Sequence, residues 1–72
     1  MYLSPKQVQI LTLVAEGYCN KEIARTLDMS SRTVESHLRR LYERYRVHSR
    51  AGIVAKWLLE GGKPDVSVSP GK

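Results

Sequence analysis

The stretch Met29–Tyr45, MSSRTVESHLRRLYERY, decides how the rest of the chain is read. Val34, Leu38, Leu41 and Tyr45 recur at i, i+4, i+7 and i+11, which sets one apolar stripe along a helix. At about 100° per residue, Arg32, Ser36, Arg39 and Glu43 fall on the opposite side. Ser30 stands in the cap position, with Met29 and Val34 placed as a hydrophobic staple around it. The spacing predicts a helix over 31–45, about 22 Å long at 1.5 Å per residue. One face of that helix needs a core. The other is polar and mostly cationic, and must be explained by something outside the core.

Upstream, CNKE at 19–22 opens a second helix. Cys19 takes the cap position, Glu22 follows three residues later, and Tyr18 and Ile23 match the staple. This helix spans 20–27 and buries Ile23, Ala24 and Leu27. Asp28 then supplies a turn residue that tolerates left-handed backbone. A short helix, a turn of about three residues and a longer helix with a polar outer face form a helix-turn-helix unit. Two further helices flank it. Ser4, Pro5 and Gln7 make a capping box with proline at the first helical position, opening a helix over about 5–16 that stops at Gly17. Ser49 caps a fourth helix over about 50–60, with Ile53, Val54, Trp57 and Leu58 apolar and Gly61-Gly62 as its stop. The expected fold is all-α, a four-helix helix-turn-helix domain over 1–62. The segment 63–72, KPDVSVSPGK, is polar and short and reads as a disordered tail.

Composition narrows the function. Seventy-two residues make one domain. The single cysteine, Cys19, excludes an internal disulfide, and His37 and His48 stand apart from any metal-ligand cluster, so no metal or cofactor is expected. No apolar run reaches the roughly 18 residues of a membrane span, and the N-terminal residues carry no signal pattern. A cytoplasmic protein with no membrane partner is the expectation. No glycine-rich phosphate loop and no nucleophile–base–acid set is present, which argues against an enzyme. The net charge is +5 and is unevenly spread. Residues 1–28 balance three cations against three anions, whereas residues 29–50 carry six arginines against Glu35 and Glu43. A field concentrated on that segment points to a polyanion, with nucleic acid first.

A DNA major groove, about 12 Å wide, admits one α-helix. Laid there, the 31–45 helix brings Arg32, Glu35, Ser36 and Arg39 toward base edges, while Arg40, Arg44 and Arg46 leave to the side where phosphates run. Arginine pairs with guanine O6 and N7, and glutamate accepts from cytosine N4. Glu35 also lies four residues before Arg39, so a pair along the helix is an equal alternative to base contact. Asn20 and Lys21 at one helix N-terminus, and Ser31 and Thr33 at the next, stand where unpaired N–H groups favour phosphate. Ser30 reads as a plain cap, His37 as a packing residue, and His48 has no assigned role.

These residues resemble the LuxR/NarL-type helix-turn-helix domain, also called the GerE or FixJ type. LSP at the opening, EGYCNKEIA at the second helix, SSRTVESHL at the third and VHSRA at the start of the fourth carry the resemblance, which covers Leu3 to Gly61. It implies the DNA-binding domain of a bacterial transcription regulator, either a whole small regulator or the output domain of a larger one, since relatives often carry a phosphorylated receiver or a ligand-binding domain upstream. The third helix then enters the major groove and the fourth makes the dimer contact. Base contacts carry over to Glu35, Ser36, Arg39 and Arg40, and phosphate contacts to Asn20, Lys21, Thr33 and Arg44. Ile53, Val54 and Trp57 carry over to the dimer surface, although a domain this small also needs them for its core. The chain departs from the pattern at Gln7 and Gln9, where glutamates are usual, and at Cys19, usually Ser or Thr. Asp28 and Arg46 each stand where glycine is usual. Glu35 stands where relatives are often basic, so their DNA preference does not transfer.

The leading expectation is sequence-specific binding of double-stranded DNA by a homodimer on an inverted repeat, in a nucleoid-associated regulator. The alternative is a protein-interaction module that turns the same basic face to an acidic partner such as RNA polymerase. RNA binding is a third reading; it normally uses exposed aromatic residues to stack on splayed bases, and Tyr42 and Tyr45 are expected to be partly committed to the core.

Overall fold

A computed structural model describes residues 1–68 of the chain. Among them are four helices and no strand: α1 (Pro5–Ala15), α2 (Asn20–Leu27), α3 (Ser31–Tyr45) and α4 (Arg50–Leu59). The four expected helices are all present, α1 and α4 each ending one residue earlier than the sequence predicts.

Local chemistry sets each helix start. The Ser4 hydroxyl accepts from the Gln7 N–H at 3.2 Å while the Gln7 side chain accepts from the Ser4 N–H at 3.0 Å. At α2 the Cys19 N–H donates to the Glu22 carboxylate at 3.0 Å. Ser30 and Ser49 cap α3 and α4, accepting from the N–H groups of Thr33 and Gly52, each at 3.0 Å.

One device closes all four helices. A backbone N–H reaches back five residues: Tyr18 to Leu13, Met29 to Ala24, Val47 to Tyr42 and Gly62 to Trp57, all between 2.9 and 3.1 Å. The residue before each donor has positive φ, and these are Gly17, Asp28, Arg46 and Gly61. This is the Schellman closure, which satisfies carbonyls that the helix end would otherwise leave unpaired. Asp28 therefore takes the left-handed conformation the sequence predicts. Arg46 takes it as well and ends α3 at Tyr45, so the missing glycine does not let the helix run on.

The core draws on every helix: Ile10, Leu11, Leu13 and Val14 from α1, Ile23 and Ala24 from α2, Val34, Leu38 and Leu41 from α3, Ile53 and Trp57 from α4. The most extensive packing is α2 on α3, followed by α1 on α4. The stripe of α3 thus holds it in the core, and its opposite face is left to solvent. Tyr45 is half-buried, and its hydroxyl donates to the Tyr2 carbonyl at 2.7 Å, tying the N-terminal segment to α3.

The tail departs from expectation as far as Val68. Thr12 is buried on the inner side of α1, and its hydroxyl donates to the Val8 carbonyl at 2.7 Å. The same oxygen accepts the Asp65 N–H at 2.8 Å, and Val68 packs against the core. Asp65 accepts from the Ser67 N–H and hydroxyl, a local turn that directs Val68 inward. The rest of the segment expected to be disordered, 69–72, lies outside the described residues.

Candidate nucleic-acid interface

The candidate interface is the outer face of α3 and the N-terminus of α2, which a cleft lined by Asn20, Glu35 and Arg39 brings together. Arg32, Glu35, Arg39, Arg40, Glu43 and Arg44 are all exposed, and Ser36 is half-buried between them. Among the described residues, the ion pairs within 4 Å are Met1–Glu60 and Lys56–Glu60, neither on this face. Glu35 and Arg39 are therefore not paired along the helix, and every charge on α3 is open to a partner from outside.

Helical geometry gives this face two different edges. Arg32, Ser36, Arg39 and Glu43 lie within about 40° of a common line, at 100° per residue. On one side a cleft opens between helices, lined by Asn20, Glu35, Leu38, Arg39, Tyr42 and Arg50. On the other side stand Thr33, Arg40, Arg44 and His37, with Lys6 of α1 near enough to act on His37 electrostatically. The His37 ring is partly buried, and its Nδ1 has no hydrogen-bond partner. Burial, then the Arg40 and Lys6 charges, hold its pKa below the ordinary imidazole range. This agrees with a packing residue that stays neutral.

Ser31 and Lys21 are exposed at the two helix starts, with Asn20 half-buried beside them. Thr33 is exposed and its hydroxyl lies 2.9 Å from that of Ser30. One hydroxyl of that pair donates to the other, which leaves one O–H free for an outside acceptor. Arg46 is exposed beyond the end of α3, beside Tyr42, Glu43, Val47 and His48. It stands about 21 Å along the helix axis from Arg32, at 1.5 Å per residue.

Arg50 was legible in the sequence only as one more positive charge. In the fold its guanidinium is a fork, donating to the Asn20 side-chain oxygen at 2.7 Å and to the Tyr18 carbonyl at 2.6 Å. It binds the first residue of α4 to the start of α2, thirty residues away. No local pattern announces such a bond.

At α4 the structure corrects the expected dimer surface. Ile53 is 0% and Trp57 3% exposed, so both belong to the protein's own core and neither is free to meet a partner. The periodicity of α4 turns them inward because α1 packs on that side. Val54 remains half-buried in a shallow groove with Val14, Ala15, Arg50, Ala51 and Ala55, and Leu59 beyond it is 87% exposed.

Residues 1–57 match the family model of bacterial regulatory proteins, luxR family. The chain belongs to the LuxR family. Relatives of the LuxR-family domain include YhjB of Escherichia coli K12, 50% identical over 48 residues, which are 67% of this chain and 24% of that protein. The tetrathionate response regulatory protein TtrR of Salmonella typhimurium is 36% identical over 55 residues, 76% of this chain and 27% of its own. The oxygen regulatory protein NreC of Staphylococcus carnosus is 40% identical over 52 residues, 72% of this chain and 24% of its own. The LuxR-family chain thus spans about a quarter of the length of the curated relatives it matches. No solved structure matches it significantly. Among the described residues no helix is long and apolar enough to cross a membrane, and no group of three or more His, Cys, Asp or Glu could hold a metal.

Proposed function

We propose that this LuxR-family domain reads a specific sequence in double-stranded DNA as the DNA-binding part of a bacterial transcription regulator. The observation that carries the reading is the outer face of α3, where every charged side chain is exposed and unpaired while the inner face is locked into the core. A helix held so rigidly can enter a major groove as a unit.

In this reading Arg32, Glu35, Ser36, Arg39 and Arg40 face base edges. The carboxylate of Glu35 repels phosphate, so its place on the groove-facing side supports selective rather than indiscriminate binding. Asn20, Lys21, Ser31 and Thr33 meet phosphates on one strand, and Arg44 and Arg46 meet them farther along. A second copy joins through the α4 groove at Val54, Ala51 and Ala55, so that two α3 helices read an inverted repeat. Ile53 and Trp57 support that surface from beneath.

The test is selection of bound duplexes from a random pool at about 150 mM salt, where non-specific attraction is screened. Enrichment of an inverted repeat, with half-sites separated by about one helical turn or a multiple of it, is the expected result. Absence of any enriched sequence, together with capture of RNA polymerase by the same face, would replace DNA by a protein partner.

A further inference from the structure

We infer that Arg50 is a positioning residue for DNA binding, acting through the side-chain amide of Asn20; the inference rests on the DNA-binding reading above. A guanidinium has only donors, so the Asn20 atom facing it at 2.7 Å must be the carbonyl oxygen Oδ1. That fixes the amide. With Oδ1 committed to Arg50, the outward group is the Nδ2 amine, which also has only donors. Asn20 therefore presents two N–H bonds and no acceptor to the neighbourhood of Lys21, the arrangement a phosphate oxygen requires.

The second arm of the fork makes the arrangement rigid. Arg50 Nη2 donates to the Tyr18 carbonyl at 2.6 Å, so the guanidinium plane is held by two acceptors at once. A single ammonium on a flexible stem cannot satisfy both in this geometry. Without the fork, the Asn20 amide is free to turn over and offer its oxygen to the phosphate instead. The cleft that contains Asn20 and Arg50 also contains Glu35 and Arg39, so the fork stands directly beside the residues assigned to base reading.

The test measures affinity for the selected duplex in Arg50→Lys, Asn20→Ala, the double variant, Asn20→Asp and Lys21→Ala. Each measurement is made well below the thermal midpoint, so that loss of fold contributes nothing. Arg50→Lys and Asn20→Ala are each expected to weaken binding about tenfold, the range of one charged hydrogen bond. The double variant is expected to lose no more than about twofold beyond the weaker single one, because both remove the same interaction. Asn20→Asp keeps its bond to Arg50 and suits a helix start, so its thermal midpoint is expected to hold or rise. It nevertheless turns a carboxylate oxygen toward phosphate, and its DNA binding is expected to collapse.

Multiplied effects in the double variant would overturn the inference, because Arg50 would then act independently of Asn20. So would Asn20→Asp binding as tightly as the unaltered chain. Weakened binding in Lys21→Ala with none in Arg50→Lys overturns the positioning role and leaves the DNA reading standing. A chain that selects no duplex at all overturns both.

Discussion

Asp28 and Arg46 hold left-handed backbone at φ 57° and 56°, where a side chain crowds its own carbonyl. Asp tolerates this region better than most residues and Arg does not. Arg46→Gly is expected to raise stability by about 0.5–1 kcal/mol, the strain relieved less the extra freedom glycine gains when unfolded. Asp28→Gly should gain less. Thermal denaturation of the two variants checks the order. In the proposed complex Arg46 also supplies a phosphate contact, so Arg46→Gly should flatten the dependence of log K on log salt by about one unit of slope while raising the melting point. His37 adds a pH effect at the same scale. Its folded pKa is depressed, so the unfolded chain binds the proton first as the solution is acidified. Its contribution is fully present above about pH 6.5, the unfolded value, and is lost as pH falls toward the folded one. Glu22, Glu60 and Asp65 are depressed as well: Glu22 first by the Cys19 N–H, Glu60 by the Met1 amino group, Asp65 by the Ser67 hydroxyl. Their contributions are lost only below the ordinary carboxylate range. Urea unfolding between pH 7.5 and 5.5 should therefore show a slope that His37→Gln removes.

At the scale of elements, the helices were legible because their signals are local. Each cap lies within three residues of the group it satisfies, and the apolar period of α3 is read directly from four positions. The docked tail was not legible, because its determinant is a pairing between Thr12 and Asp65, 53 residues apart. Thr12 is one polar residue in an apolar stretch, and nothing nearby says that its hydroxyl oxygen accepts a distant N–H. Thr12→Val is expected to cost about 1 kcal/mol more in the full chain than in a chain ending at Gly62, because only the full chain loses the bond from Asp65. Equal costs in both chains would show that the tail bond contributes nothing. Gly62 is a related case: a Cβ there would overlap the Trp57 indole, so the second glycine of the pair serves packing rather than the turn.

Across the whole molecule, the exposed face of α3 was readable from the sequence and the exposed surface of α4 was not. An exposed helical face is identified by what its apolar stripe leaves over, so Arg32, Ser36, Arg39 and Glu43 follow from Val34, Leu38 and Leu41. The α4 surface depends on which of its apolar residues α1 claims, and that is decided only by packing. Arg50 lines both the α4 groove and the cleft beside α3, so the two surfaces share one guanidinium. They can nevertheless be separated. Ala55 is exposed and lines the groove, away from the α2 and α3 contacts. Ala55→Glu should leave the thermal midpoint within the range of an ordinary surface change, about 0.5 kcal/mol. It should also leave affinity for a single half-site unchanged. On the inverted repeat it brings like charges together across the two-fold axis, where such a meeting costs several kcal/mol, and affinity should fall by about tenfold or more. Titration of both duplexes at one salt concentration distinguishes the cases. Loss on the repeat alone assigns the groove to the second copy. Equal binding to the repeat before and after the change moves the dimer contact elsewhere on the molecule, while the α3 reading stands.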